Sequence, residues 1–154
     1  MFDVVLVRPE IPPNTGNVIR LCANTGCRLH LVAPLGFTLD DARLRRAGLD
    51  YHEYATVTVH ANWSALLRDS RPARLVAFTT HGETPLAQCR LERGDFLVFG
   101  SETTGLPPTI LEQFDDGRRV RLPMRPGNRS LNLSNAVAVV VFEGWRRHGY
   151  VGGE

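Results

Sequence analysis

The feature that most constrains the fold is an alternation of short apolar segments with segments of helical pattern along the chain. Apolar runs such as "FDVVLVRP", "RLHLVAP" and "GDFLVFG" have strand length and end at proline, glycine or polar residues. Further strands are predicted in "YATVTVH", "RLVAFTT" and "RRVRLPM". Because strands that alternate with helices are joined by crossovers, the sequence predicts an α/β fold, a mostly parallel sheet with flanking helices.

The predicted helices lie between these strands. They are "TGNVIRLCANTG", which Gly26 ends, followed by "TLDDARLRRAG", "NWSALLRD" and "PPTILEQF", whose prolines suit a first turn. No repeat, low-complexity tract or linker interrupts the 154 residues, so we expect one domain spanning residues 1–154. A chain of this length buries a core without disulfides.

The last element, in "RPGNRSLNLSNAVAVVVFEGWRR" (residues 125–147), is ambiguous in composition. Its β-branched run "VAVVVF" would suit a strand. The apolar stretch continues to Trp145, which is too long for a typical strand, and small polar residues from Ser130 to Asn135 can cap a helix. We therefore predict a helix. Four residues at helical spacing share its buried face: Val137, Val140, Val141 and Gly144.

Composition excludes several classes of site. All 18 basic residues are arginine, so a Schiff-base lysine and a phosphate-binding P-loop lysine are ruled out. No G-x-G-x-x-G occurs, and the five histidines lack metal-ligand spacing, so we predict no metal site. The three cysteines form no C-x-x-C pair and are expected to be reduced core residues. No apolar run is long enough to span a bilayer, and we expect a cytoplasmic protein that does not bind membranes.

Three loops that follow predicted strands are candidates for a binding site. They are "RPEIPPNTGNVIRL", "FGSETTGLPP" and "LPMRPGNRSLNLSNA", rich in glycine, proline and small polar residues. Ligands of open α/β sheets bind beyond the carboxyl ends of the strands. Loops of this composition offer backbone donors and acceptors that suit an adenine and a polar tail better than a polyanion. Taken singly, each loop is better explained by ordinary turn chemistry, but three such loops at adjacent strand ends favour a binding site.

In these three loops the chain resembles the SPOUT-class RNA ribose 2′-O-methyltransferases, because "PEIPPNTGNVIRLCANTG", "FGSETTGLPP" and "LPMRPGNRSLNLSNAVAVVVFE" match the family motifs in order and spacing. "RLRRAGLDYHEY" is similar to the small bacterial members that methylate the wobble nucleotide of leucine tRNAs. The resemblance implies S-adenosylmethionine as cofactor, the anticodon stem-loop of tRNA as substrate, and a homodimer whose partner subunit completes each active site. It also implies a SPOUT α/β knot, a trefoil knot at the carboxyl end.

The resemblance assigns the cofactor contacts to three loops. Leu122 and Met124 would sandwich the adenine, backbone groups near Gly100 and Leu122 would read its edges and the ribose, and residues 130–132 would wrap around the cofactor. The full set of cofactor-binding candidates is Phe78, Thr79, Gly100, Ser101, Glu102, Gly105, Leu122, Pro123, Met124, Ser130, Leu131 and Asn132.

The catalytic candidates implied by the resemblance are Arg20, Asn14, Glu102, Ser130 and Asn132. Since a free guanidinium stays protonated, we expect Arg20 to fix the adjacent phosphate and stabilise the developing alkoxide rather than act as a base. Asn14 would hold the loop or Arg20, and Glu102 would be an electrostatic partner. Without the motif, a surface ion pair would explain Arg20 as well.

Further arginines are candidates for gripping the phosphates of the tRNA. With Arg20, the substrate-binding candidates are Arg43, Arg45, Arg46, Arg125 and Arg129. The first three of these five could equally form a solvated helix face. His52 and Tyr54 could stack on an unpaired base, although a structural role is the simpler interpretation.

Two positions depart from the family pattern. Thr104 stands where relatives often carry a basic residue, and Phe142 where several carry tyrosine. These departures bear on the exact substrate more than on the reaction. Two alternatives stay open: the same chemistry on ribosomal RNA, and a non-catalytic RNA-binding module with the same fold.

Overall fold

The computed structural model describes residues 1–40 and 57–154. The strands are β1 (Asp3–Val7), β2 (Arg28–Val32), β3 (Val57–His60), β4 (Leu75–Phe78), β5 (Thr84–Pro85), β6 (Phe96–Phe99) and β7 (Arg119–Arg121). The helices are α1 (Pro12–Thr25), α2 (Trp63–Ser70), α3 (Pro108–Leu111) and α4 (Leu133–Arg147), with 3₁₀ turns at Leu86–Gln88 and Asp116–Arg118.

All seven strands pair in parallel in one sheet, in the order β3-β2-β1-β6-β4-β7-β5. This confirms the predicted mostly parallel α/β fold. Side chains alternate between the two faces of each strand, so each face has its own core. Val4 and Leu6 of β1 face a core shared with α1 and α4, whereas Val5 and Val7 face a core shared with α2 and α3.

The terminal helix confirms the sequence prediction in spite of its β-branched run. Ser134 joins the four predicted positions of α4 as a buried residue, and Asn132 is the N-cap whose side-chain oxygen accepts from the backbone N–H groups of Ser134 and Asn135. At Gly144 a Cβ would lie 2.6 Å from the Phe2 ring, so only glycine lets α4 approach the start of the chain this closely. Tertiary packing therefore overrides strand propensity here.

Several predicted boundaries differ from the structure. α3 ends at Leu111, three residues before the end of the predicted "PPTILEQF", and β7 is shorter than "RRVRLPM". The first three residues of "YATVTVH" lie outside the described ones. β5 was not predicted, because two residues carry no periodic signal. The helix predicted in "TLDDARLRRAG" falls almost entirely on residues that lie outside the described ones.

The parallel sheet gathers the candidate loops at one edge. β1, β6, β4 and β7 are consecutive neighbours, so the chain segments that leave their carboxyl ends lie side by side. Those segments are residues 8–11, 100–105, 79–82 and 122–132. The strand order thus places three motif-bearing loops and the start of α1 around one point. The sequence predicted these loops but could not show that they meet.

Candidate active site

A cavity of about 460 Å³ lies at this carboxyl edge, between the loops after β4, β6 and β7 and the start of α1. Its volume is in the range typical of small-molecule sites. Phe99, Leu106, Leu111, Leu122 and Met124 supply apolar walls. Small polar side chains and exposed backbone complete the lining, so the cavity suits a ligand that has an apolar ring and a polar tail.

Glycine is required at two positions of the loop after β6. A Cβ on Gly100 would lie 2.0 Å from the carbonyl carbon of Gly105, and Gly105 itself has a φ of 68°. The turn is closed by mutual backbone hydrogen bonds between Ser101 and Gly105, at 3.2 Å and 3.0 Å. Glycine at these positions therefore lets the turn close on itself at the edge of the cavity.

Thr104 helps to hold the same turn. Its Oγ1 lies 2.8 Å from the Oγ of Ser101, and the Ser101 hydroxyl also accepts from the Thr104 backbone N–H at 3.3 Å. Relatives often carry a basic residue at this position, whereas the threonine of this chain forms a hydrogen bond within the turn.

Glu102 ties the loop after β6 to the loop after β1. Its Oε2 accepts from the backbone N–H of Glu10 at 2.8 Å, and its Oε1 accepts from Ile11 N–H at 3.1 Å and Asn14 Nδ2 at 3.2 Å. Both carboxylate oxygens are thereby engaged by donors of the first loop. Hydrogen bonds to a carboxylate are stronger than those between neutral groups, so this contact fixes the relative position of the two loops.

Asn14 and Asn132 extend the tie to the third loop. The buried Asn14 accepts at Oδ1 from Asn132 Nδ2 at 2.8 Å, while Asn132 Oδ1 caps α4 through Ser134 N at 3.0 Å and Ser134 Oγ at 2.7 Å. A chain Glu102–Asn14–Asn132–Ser134 therefore crosses one side of the cavity. The polar cluster before α4 serves both as a helix cap and as part of the cavity wall.

The structure brings most of the predicted site residues together. Twelve of them line the cavity: Asn14, Phe78, Thr79, Gly100, Ser101, Glu102, Gly105, Leu122, Met124, Ser130, Leu131 and Asn132. Pro123 belongs to the same loop but is not part of the lining. Their roles toward a ligand stay predictions.

The predicted arginines lie elsewhere. Arg20 is exposed further along α1, outside the lining, and Arg125 and Arg129 are exposed on the loop that leads into α4. Arg43, Arg45 and Arg46, with His52 and Tyr54, lie outside the described residues.

Sequence reasoning missed part of the lining. The additional residues are Ile11, Thr80, His81, Phe99, Thr103, Thr104, Leu106, Leu111, Leu133 and Ala136. Most of them lie inside the quoted motifs or within two positions of a predicted strand end, so they could have been found there. Leu111 could not, because it enters from α3 only once that helix is packed.

A buried polar chain, also not predicted, crosses three strands away from the cavity. Asp3 Oδ1 lies 2.9 Å from His30 Nε2, and His30 Nδ1 lies 3.0 Å from His60 Nε2. Burial raises the pKa of Asp3, but hydrogen bonds from His30 and Arg28 outweigh it and the net pKa is lowered. Burial, and then the charge of His30, lower the pKa of His60. This chain is a structural network in the second core.

The remaining features concern the cysteines, metal ligation and membrane-spanning helices. Cys22, Cys27 and Cys89 are free and buried, and burial raises the pKa of each thiol. Within residues 1–40 and 57–154 no three His, Cys, Asp or Glu side chains are arranged to hold a metal ion. The helices in those same ranges are too short or too polar to cross a membrane.

Known proteins resemble this chain over its full length. The model of the SpoU rRNA Methylase family matches residues 1–142. A tRNA (cytidine(34)-2′-O)-methyltransferase of Burkholderia ambifaria is 65% identical over 155 residues, which cover 99% of each chain. A solved structure that addresses 2-OH methylation of C/U34 on tRNA is 42% identical, with a TM-score of 0.88 and 97% of each chain covered. An AdoMet-bound rRNA methyltransferase of Sinorhizobium meliloti is 25% identical, with a TM-score of 0.80, and matches 95% of this chain but 56% of that longer one.

Proposed function

The chain belongs to the SpoU rRNA Methylase family, and we propose that it transfers a methyl group from S-adenosylmethionine to the ribose 2′-OH of nucleotide 34 of tRNA. The observation that carries this proposal is the cavity at the carboxyl edge of the sheet, where the three motif loops meet. The full-length similarity to an enzyme of this activity supports the choice of substrate.

The residues present fit the cofactor. Leu122 and Met124 offer apolar surfaces for the adenine, and the side-chain-free backbone at Gly100 can approach it closely. Ser130 and Asn132 supply polar groups for the ribose and the amino-acid tail. When bound, S-adenosylmethionine supplies an electrophilic methyl group on a positively charged sulfonium. The cavity contains the Glu102 carboxylate and no arginine among its described lining, which suits a cationic ligand.

The protein's own contribution is positioning and charge stabilisation. The Glu102–Asn14–Asn132 chain holds the loops in fixed relation, and a fixed geometry supplies much of the acceleration of a displacement reaction. We propose that Arg20 binds the phosphate next to the target ribose and stabilises the oxyanion that forms on it.

A homodimer would bring Arg20 to a cavity. Arg20 is exposed outside the cavity of its own chain. On the last helix Val139 is 46% and Phe142 45% exposed, so α4 presents an apolar face that a second copy would cover. We propose that two chains pair through this face and that Arg20 completes the site of the partner subunit.

The finer substrate assignment rests on sequence similarity. The stretch "RLRRAGLDYHEY" resembles the subfamily that acts on leucine tRNAs, and we propose these as substrates, with Arg125 and Arg129 gripping the anticodon arm. The presence of tRNA in the cytoplasm and three free, buried cysteines support a cytoplasmic location.

The experiment is to incubate the protein with methyl-labelled S-adenosylmethionine and either tRNA or ribosomal RNA, then to locate the label by nuclease digestion and mass spectrometry. We expect one added methyl group on the ribose of nucleotide 34 of leucine tRNAs. Label on ribosomal RNA alone would favour the ribosomal alternative, and calorimetry without S-adenosylmethionine binding would favour a non-catalytic module.

Arg20→Ala tests the catalytic assignment within the same assay. We expect methyl transfer to be lost while the affinity for S-adenosylmethionine stays near that of the parent protein, because Arg20 lies outside the cavity lining. Full turnover by Arg20→Ala would show that the assignment is wrong.

A further inference from the structure

A second hollow lies directly beside the proposed active site. It has a volume of about 260 Å³ and shares Ser101, Thr104 and Gly105 with the main cavity, so the loop after β6 is a wall common to both. The remaining lining residues come from the loops after β1 and β2 and from the start of α3: Arg8, Glu10, Pro34, Leu35, Gly36 and Pro107.

The hollow is formed by a close and defined contact between two loops. The backbone N–H of Gly36 donates to Pro9 O at 2.9 Å, and a Cβ at Gly36 would lie 2.8 Å from the Glu10 Cα. Only glycine allows the two loops to meet this closely. Pro34, Leu35 and Pro107 give the hollow an apolar part of its lining, which a nucleobase can cover.

Arg8 gives the hollow a positive charge that takes no part in holding the described elements together. Its side chain is exposed and makes no hydrogen bond or ion pair that involves the described residues. Its backbone has a φ of 54°, a left-handed conformation that costs an ordinary side chain about 1 kcal/mol, while its N–H is held by Val32 O at 2.9 Å. Glycine would fit this position better, so folding does not explain the arginine.

Glu10 also lines the hollow, and its carboxylate is held in a fixed orientation. Its two carboxylate oxygens accept from Thr103 Oγ1 at 2.7 Å and 2.9 Å. A carboxylate oxygen has lone pairs to spare, so it can also accept from a ribose hydroxyl or an exocyclic amino group.

We propose that this hollow binds the nucleotide next to the methylated one, with the Arg8 guanidinium on its phosphate and its base against the proline and leucine surfaces. The inference rests on the proposed action on RNA. The shared wall places the hollow beside the cavity assigned to the cofactor, so a nucleotide that flanks the target ribose would lie within its reach. A guanidinium matches phosphate with two parallel hydrogen bonds, and flexible single-stranded loops expose bases for such contacts.

The test compares Arg8→Gln with Arg93→Gln, a substitution of an exposed arginine just before β6, at the opposite edge of the sheet. The probe is an anticodon stem-loop RNA. We expect Arg8→Gln to weaken RNA binding by about three- to tenfold and to reduce the slope of log K against log salt by about one, with S-adenosylmethionine affinity unchanged. Arg93→Gln should change neither quantity.

Two further measurements separate a phosphate contact from a folding effect. Arg8→Gly relieves the left-handed backbone, so it should lose the same RNA affinity without any loss of thermal stability. A neutral methylphosphonate placed at each phosphate beside the target nucleotide should reveal the Arg8 contact: at one of these positions it should weaken RNA binding by the parent protein and have no further effect on Arg8→Gln, whereas a phosphate bound by Arg20 should respond equally in both proteins.

The outcomes distinguish this inference from the proposed function. Methylation of tRNA by the parent protein, combined with unchanged RNA binding by Arg8→Gln and Arg8→Gly, would overturn the subsite alone. Methylation of ribosomal RNA instead of tRNA, combined with weakened binding by both Arg8 variants, would overturn the substrate assignment and support the subsite. No binding of either RNA by the parent protein would overturn both.

Discussion

At the scale of single residues, Glu102 shows how a carboxylate can act by holding two loops together. Replacing it with Gln turns one acceptor oxygen into an NH₂ group, which must then face a backbone N–H of the first loop. An unsatisfied buried donor costs about 1–3 kcal/mol, and the lower end, about 1 kcal/mol, applies to these partly exposed donors. We expect Glu102→Gln to lower the free energy of unfolding by that amount in urea titrations and to weaken S-adenosylmethionine binding. Glu112→Gln, an exposed control on the surface, should change neither, and equal behaviour of the two variants would contradict this role.

His60 makes a second prediction at this scale, on pH. Burial and the charge of His30 lower its pKa below the usual 6.5, against an opposing effect of Asp69. As pH falls through about 6.5, the unfolded chain takes up a proton at His60 that the folded chain does not, so stability falls. His60→Gln should flatten this part of the stability curve, measured by urea unfolding between about pH 8 and pH 5. His81→Gln, at an exposed histidine, should leave the curve unchanged; the same flattening in both variants would contradict the assignment.

At the scale of elements, two asparagine caps offer a matched comparison. Asn132 caps α4 beside the cavity, and Asn62 caps α2, which packs against the other core, through the backbone N–H of Ala65 at 2.8 Å. Loss of either cap costs about 1 kcal/mol. We expect both variants to be destabilised in thermal unfolding, Asn132→Ala more than Asn62→Ala because it also leaves the buried Asn14 Oδ1 without its donor. Only Asn132→Ala should weaken S-adenosylmethionine binding by calorimetry, since only Asn132 also donates to Asn14. Equal binding by both variants would mean that the cap and the cavity wall are independent.

The elements also show which information the sequence carries. Helix α4 could be predicted because its apolar positions keep helical spacing for longer than a strand would. The position of Leu111 in the cavity could not, because it depends on how α3 packs. The contact between Asn14 and Asn132 joins residues 118 positions apart, so it could not be predicted from local sequence patterns. The strained conformation of Arg8 left no signal either, since its residue type gives no indication of a positive φ.

At the scale of the whole molecule, the parallel sheet determines where chemistry can occur. Consecutive neighbours β1, β6, β4 and β7 deliver four loops to one edge, and both the main cavity and the second hollow lie there. Among the described residues, the opposite edge receives connections that enter the strands and the end of α4. The α1–α4 packing, with Gly144 against Phe2, brings the last helix back to the start of the chain. The trefoil knot stays a prediction of the family resemblance.

The apolar face of α4 leads to the last prediction, which concerns assembly. Phe142 is 45% exposed, and its ring lies 5.8 Å from that of Trp145, which in turn lies 5.5 Å from Tyr150. A charge at the centre of an apolar interface must be desolvated without a partner, so Phe142→Arg should convert a dimer into a monomer by sedimentation velocity at micromolar concentration. It should also lower methyl transfer, because Arg20 would no longer reach a partner's site. Val59→Arg, at a valine that is 50% exposed on β3, is the control and should remain dimeric. A monomeric parent protein, or a dimeric Phe142→Arg with full activity, would show that α4 does not form the interface.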